Sequence, residues 1–285
     1  MINIIKKTIK YTFSIISMIF VFVPESFFEL YLIIPKKIFT IYGFEEKSSL
    51  TISVIVNKLM CYLIIFIIVM ISYKIYLTFR KKITIVGNNY RISIEYGDLL
   101  EINDCKRVIS FDECFTSQVG KKPADINSLS LCGQYLNKHP EINITSLLSA
   151  SGLKPIGKSK YKNKDSYEPG RVIPNDNDLL LAFTKLDKNG VGKMSRSDYI
   201  KCLFVLWEEI NNNYGQSDVC LPILGSGITR IEGGSGASIS QQELLDMMIW
   251  SYRLCSNKLK LPSKLRIICK KNEGFSLDKI DNSII

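Results

Sequence analysis

The sequence predicts an α/β domain whose central sheet is covered on both faces, preceded by a hairpin of two transmembrane segments. Three observations carry this. Residues 59–73, LMCYLIIFIIVMISY, contain no charge at all. From residue 83 onward, short apolar runs alternate with longer stretches of helical pattern. Those runs are rich in Val, Ile and Leu, as strands buried on both faces are.

The apolar core lies between Lys58 and Lys74, and an uncharged stretch, SSLTISVIVN, leads into it. A crossing needs about 20 mostly apolar residues, a length met once either lysine snorkels to the interface. An earlier segment, YTFSIISMIFVFVP, is short; continuing it to Pro35 includes Glu25 and Glu29. These carboxylates, one helical turn apart, mark either an interfacial segment or a polar seam between assembled copies. Lys6, Lys7 and Lys10 ahead of an apolar stretch also fit a signal peptide, but no small-residue cleavage site follows and a second apolar segment does. The expected division is residues 1–82 for the membrane region, with segments at about 11–35 and 52–78, and residues 83–285 for the α/β domain. Basic residues before the first segment and at Arg80, Lys81 and Lys82 after the second put both ends in the cytoplasm, although Lys36, Lys37 and Lys47 weaken the bias.

The formal charge of +10 suits nucleic acid or an anionic leaflet and does not choose between them. The basic residues are scattered, without the aromatic platform of nucleic-acid binders. Eight cysteines stand singly with one histidine, so no zinc site or disulfide framework is expected, and the thiols read as reduced and mostly buried.

Within the domain, KITIV and YRISIEY read as two strands joined by a Gly-Asn-Asn turn. RVISF, GRVIP, DLLLAFT, DVCLPIL and LRIICK follow as buried strands. Helices are expected over residues 128–138, 195–213 and 240–256, the last two opened by serine caps. Residues 153–168, lysine-rich and polar, read as an exposed loop. Trp207 and Trp250 sit in helical apolar stripes and read as core.

Chemistry enters with LPILGSGITR. A buried strand ending at Leu224 would place Gly225, Ser226 and Gly227, followed by Ile228 and Thr229, beyond its carboxyl end, where open α/β sheets bind ligands. Small residues let a backbone approach a phosphate, and Arg230 offers a counter-charge; a plain tight turn is the bland alternative. Asp98, after the second strand, can accept from an amino group such as that of adenine, while the N–H of Leu99 donates to a ring nitrogen. Phe111 ends the third strand, and Asp112 opens the stretch that follows it. Ser130, Cys132 and Gly133 open a helix with free N–H groups. Phe275, after the last strand, is a candidate either for stacking on adenine or for the core.

Taken together, this arrangement resembles the macro domain, the ADP-ribose-binding module, over roughly residues 83–276. The stretches SLCGQYL, YEPGRVI, LLLAFTKLDKNG, SRSDYIKCLFVLWEEI and LPILGSGITR are similar to the membrane-anchored macro effectors of bacterial Thoeris anti-phage systems, the ThsA type with two N-terminal spans. The resemblance implies a three-layer α/β/α sandwich behind a transmembrane hairpin, with an ADP-ribose derivative as ligand and no cofactor. It further implies a messenger released from NAD by a partner TIR-domain protein, a histidine conjugate of ADP-ribose in the two-span type. Binding would drive homo-oligomerisation in the inner membrane, membrane disruption and abortive infection. Macro domains that hydrolyse ADP-ribose linkages carry an asparagine-rich segment after the third strand. Here Asp112, Glu113, Cys114 and Phe115 stand instead, which argues for binding without catalysis over a tethered ADP-ribosylhydrolase.

LDKNGVGKMSRSDY imitates a calcium loop, with Asp187, Asn189, Gly192, Ser195 and Asp198 at ligand-like spacing. Val191 replaces an oxygen ligand and Asp198 replaces the bidentate glutamate, so a strand-to-helix loop is preferred. Residues 233–238, GGSGAS, have no expected strand before them and read as a flap. His139 has no visible catalytic partner.

Overall fold

The computed structural model describes residues 9–18, 41, 46–120, 125–227, 230–232, 239–271, 275–277 and 280. The chain divides into two compact units, Met1–Arg80 and Lys81–Ile285.

In the first unit, residues 9–18 are helical and α1 spans Glu46–Phe79. Within α1, Thr51–Phe79 is long and apolar enough to cross a membrane, with mean hydropathy 2.6 over its most apolar stretch. Ile55, Leu59, Ile68 and Ile75 are all exposed, a surface that lipid satisfies and water does not. The short helix rests against α1: Thr12 and Ile16 are buried and the Tyr11 ring lies 6.3 Å from Tyr73. The rest of the first apolar segment, with Glu25 and Glu29, lies outside the described residues.

The second unit is a three-layer α/β/α sandwich. Its order is β1 (Lys82–Val86), β2 (Arg91–Tyr96), β3 (Lys106–Asp112), α2 (Leu131–Lys138), α3 (Ile144–Ser151), β4 (Gly157–Lys158), β5 (Asp165–Ser166), β6 (Val172–Asn175), β7 (Asp178–Leu186), β8 (Gly192–Ser195), α4 (Arg196–Asn213), β9 (Val219–Pro222), β10 (Arg230–Glu232), α5 (Gln241–Leu254) and β11 (Leu265–Cys269). The large sheet runs β1-β2-β11-β9-β3-β7-β8-β10, with β6 also on β7. From β2 to β7 every neighbouring pair is parallel. Within this sheet, among the described residues, antiparallel pairing is confined to β1 on β2 and to β6 and β8 on β7.

Alternation along the strands builds two cores. Leu179, Leu181 and Phe183 of β7, Leu221 of β9 and Ile267 of β11 face α4 and α5, joining Tyr199, Leu203, Trp207, Leu245 and Tyr252. Leu180 and Ala182 of β7, Ile109 and Phe111 of β3 and Ile268 of β11 face the other way, onto Tyr135, Leu136 and Ile144 of α2 and α3. Both faces of the central strands are dry, which is why their sequence runs are continuously apolar. Serine caps start three of the helices: Ser130, Ser195 and Ser240 each accept from the N–H three residues on, and Ser240 forms a capping box with Glu243.

Several expectations need correction. Residues 153–168 are no simple exposed loop: β4 and β5 pair, and Ser159, Tyr161, Ser166 and Tyr167 are buried, because polar sequence does not reveal side chains held from outside the segment. Helix α3 was not expected; it is short, capped by Asn143 and ended by the left-handed Gly152. The three-residue β10 does precede residues 233–238, paired with β8. Trp250 is 52% exposed while Trp207 is 1% exposed with Nε1 on Ser251 Oγ at 2.9 Å; a helix with a broad apolar stripe buries only the residues that meet a neighbour. Cys105 and Cys220 form a disulfide, with Cα atoms 6.2 Å apart, so those two are not free thiols. Their meeting depends on β3 lying beside β9, which spacing in the sequence does not show.

Candidate functional site

The carboxyl ends of β2, β11, β9, β3 and β7 form one rim, because these five strands are parallel neighbours. Register fixes what sits there. Tyr96 is opposite Cys269 and Ile268 is opposite Pro222. Residues 97–98, residues 223–227 and the turn after Asp112 therefore all emerge at the same edge. The chain also enters the unit here, since Lys81 O accepts from Tyr96 N at 3.0 Å.

Asp98 is exposed; one carboxylate oxygen accepts from Leu100 N at 3.0 Å and caps a short 3-10 turn over Leu99–Glu101. Leu99 and Leu100 are buried beneath it, and Gly97 N donates to Cys269 O at 3.1 Å. The carboxylate is thus held above the junction of β2 and β11, and among the described residues its second oxygen has no hydrogen-bond partner.

The glycine turn is more selective than its sequence suggests. Tyr199 Oη donates to Leu224 O at 3.1 Å, fixing the start of the turn, and the Leu224 side chain is buried. Gly225 has φ +80, and a Cβ there would run into Ile231, so glycine is required by backbone and packing together. Ser226 N and Oγ both donate to Ile223 O, at 3.2 and 2.6 Å, so that N–H is spent on the turn itself. At Gly227 a Cβ would meet nothing within 4 Å among the described residues, and the residue is exposed. Ile228 and Thr229 lie outside the described residues, and Arg230 is placed only by its backbone, opposite Lys193.

Asp112 Oδ1 accepts from Cys114 N at 2.8 Å and Thr116 N at 3.1 Å. Burial pushes its carboxyl above the usual range, against hydrogen bonds from residues 114 and 116 and the charge of Lys164. The Cys114 thiol is likewise pushed up by burial, to about 11. The neighbouring Glu113 is buried. Its Oε1 accepts from Ser159 Oγ at 2.6 Å and from Leu186 N at 3.0 Å, while its carbonyl accepts from Tyr167 N at 2.8 Å. It therefore clamps the β4–β5 hairpin to the ends of β3 and β7, and no local pattern marks it.

The start of α2 stands beside this turn. Ser130 Oγ accepts from Gly133 N at 3.1 Å, and Gly133 packs so closely on residues 127 and 128 that a side chain would not fit. Cys132 is buried, its thiol raised by burial and then by the Asp112 charge. Phe111 and Phe275 are not ring platforms at the rim. Phe111 is buried against Phe115 and Tyr135, and Phe275 against Tyr96 on the other face of the sheet.

The calcium-like loop is a hairpin between β7 and β8, with Asp187 Oδ1 accepting from Asn189 N and Val191 N at 2.8 and 3.0 Å. Among the described residues no group of three or more His, Cys, Asp or Glu side chains could hold a metal.

The rim offers a carboxylate acceptor at residue 98, an open glycine turn at residue 227, and a carboxyl of raised pKa beside a helix start. A model of the family described as Thoeris protein ThsA, Macro domain, matches residues 92–270. The Thoeris protein ThsA of Bacillus amyloliquefaciens (strain Y2) is 29% identical over 219 residues, covering 73% of this chain and 71% of the relative. Among solved structures, the macrodomain of Thermus aquaticus DarG overlays with a TM-score of 0.37 at 14% identity, over 64% of this chain and 98% of that one. The Oceanobacillus iheyensis macrodomain with ADP overlays at 0.36 and 10% identity, over 68% of this chain and 90% of that one. With most of its α/β unit matched by the family model, the chain belongs to the Thoeris ThsA macro-domain family.

Proposed function

We propose that the chain is a membrane-anchored effector of bacterial anti-phage defence, whose macro domain binds an ADP-ribose-derived messenger. On this reading the messenger is a histidine conjugate of ADP-ribose made by a partner TIR-domain protein. The macro domain lies in the cytoplasm, both N-terminal segments cross the inner membrane, and binding drives self-association, bilayer disruption and abortive infection. Asp98 and the Leu99 N–H read the adenine. Residues 224–230 hold the diphosphate, with Gly227 providing the opening and Arg230 the counter-charge. Asp112 and the α2 start at Ser130, Cys132 and Gly133 border the distal ribose, where a carboxylate suits a cationic or amino substituent.

The observation that carries this reading is that Asp98 and Gly227 leave one rim on strands separated by β11 alone. Family membership and the apolar helix support it. A messenger that binds the assembled form better than the single chain shifts assembly by that difference in affinity, so no catalytic residue is needed.

The test is calorimetry of the full chain in nanodiscs with ADP-ribose, its histidine conjugate and NAD, with light scattering of the detergent-solubilised protein and dye leakage from liposomes. Binding is expected to weaken in Asp98→Ala and Gly227→Glu, and leakage to follow the ligand. Undiminished binding in both variants sinks the site. The rival reading, a tethered ADP-ribosylhydrolase, would use the raised carboxyl of Asp112 as its base; chromatographic detection of hydrolysed ligand would favour it.

A further inference from the structure

The β1–β2 turn lies at the opposite end of β2 from Asp98, since Val86 pairs with Arg91 while Lys82 pairs with Glu95. Beside that turn is a hollow of about 540 Å³, between residues 85–90 and the segment after α5. Its lining includes Arg253, Lys258 and Lys260, with Asn88 and Asn89, and among the described residues no carboxylate. Nothing in the rim site uses it.

The backbone between the two lysines is anchored. Leu259, between the two lysines, is buried, and its N–H donates to Tyr252 Oη at 3.0 Å. Tyr252 packs edge-on against Trp207 and Tyr90, with centroids 5.1 and 5.8 Å away. Lys258 donates to Cys255 O, and its Nζ lies 5.4 Å from the Tyr90 ring centre. An ammonium has three N–H donors, so one bond to a carbonyl leaves two for a ligand. The Arg253 guanidinium lies over the Trp250 ring at 5.6 Å. Ammonium groups and amides beside one open hollow match the many acceptor oxygens of phosphate groups better than a single carboxylate.

We propose that this hollow is a second anion site that takes a compact, soluble phosphorylated ligand bearing two or more negative charges. A lipid phosphate headgroup shares this chemistry, so vesicles containing anionic phospholipid form a second arm: binding confined to them, without binding of pyrophosphate, excludes a soluble ligand. The site is independent of the rim site and of the function proposed for it.

The probe is inorganic pyrophosphate, titrated into the full chain in nanodiscs of neutral lipid. Gly227→Glu serves as the background, so that binding at the rim does not contribute. Saturable binding is expected, weakened at least about tenfold in Lys258→Gln/Lys260→Gln, as loss of charge-assisted hydrogen bonds implies, and weakened by salt. Lys260→Glu, at an exposed side chain, should weaken binding without moving the melting temperature. Three results overturn the proposal: no pyrophosphate binding, binding unchanged by the lysine substitutions in protein that melts normally, or capture only of an acidic peptide or duplex DNA.

Discussion

Arg107 clasps Asp178 across the β3–β7 pair, with Nε on Oδ1 at 2.7 Å and Nη2 on Oδ2 at 3.0 Å, both side chains being largely buried. The two residues are direct register partners at the start of the parallel ladder that leads to the rim. Removing one partner of such a pair strands a buried charge, so Arg107→Ala should cost about 3–5 kcal/mol. Replacing both residues with apolar ones of similar volume should cost much less. Thermal unfolding of the three proteins in detergent checks this, and equal losses would show that the pairing itself matters little.

The glycines of the rim turn should behave oppositely. Gly225→Ala meets Ile231 and a left-handed backbone, so a loss of about 1–3 kcal/mol is expected with or without ligand. Gly227→Ala meets nothing within 4 Å among the described residues and should leave unfolding unchanged. Melting curves of both variants decide the matter without any knowledge of the ligand.

Glu113 predicts a local effect. Glu113→Ala leaves Leu186 N and Ser159 Oγ without their acceptor, at about 1–3 kcal/mol for each group that stays dry. Limited proteolysis should then cut within residues 153–168 faster than in the parent, and Glu113→Gln, which keeps an acceptor oxygen, should lie between the two. An unchanged cleavage rate in Glu113→Ala would remove its role as a clamp.

The two tryptophans separate core from surface. Trp207→Ala empties a buried position and should cost about 3–5 kcal/mol, whereas Trp250→Ala should stay within about 0.5 kcal/mol. Comparable losses would contradict the exposure of Trp250.

Acid sensitivity should be traceable to Glu95. Burial works to raise its pKa, but hydrogen bonds and charge from Arg266 and Lys82 together outweigh that and hold it below the ordinary 4.5. Arg266 Nε meets Glu95 Oε1 at 2.7 Å, and its Nη1 meets the exposed Asp104 at 2.9 Å. With a folded pKa below the unfolded one, the carboxylate contributes stability that is complete above pH 4.5 and is lost as pH falls through the folded value. Asp112, shifted upward, acts with the opposite sign. The informative quantity is therefore a difference: Arg266→Gln should lower the melting temperature at pH 7, and the gap to the parent should narrow below pH 4.5. A gap that stays constant with pH would exclude this linkage.

Local features were legible in the sequence. The apolar run of α1, the turn between KITIV and RISIEY, the serine caps at residues 195 and 240 and the dry strands β3, β7, β9 and β11 each follow from nearest-neighbour chemistry, because caps and periodicity act within a few residues. Even the candidate site was visible as short motifs at strand ends. Which motifs share an edge was not.

That was settled by pairing between segments far apart in the chain. Strands such as VCLP and LRIIC have similar composition, and only the matching of faces against α2 and α3 on one side and α4 and α5 on the other places β11 between β2 and β9. The same long-range packing turned Glu113 into a buried clamp, joined Cys105 to Cys220, exposed Trp250, and divided one glycine turn into a position locked by Ile231 and another open to solvent. Sequence by itself determined which segments form strands, helices and a candidate span. The tertiary structure decided which of their ends meet, because burial rewards total apolar area removed from water and is indifferent to separation along the chain.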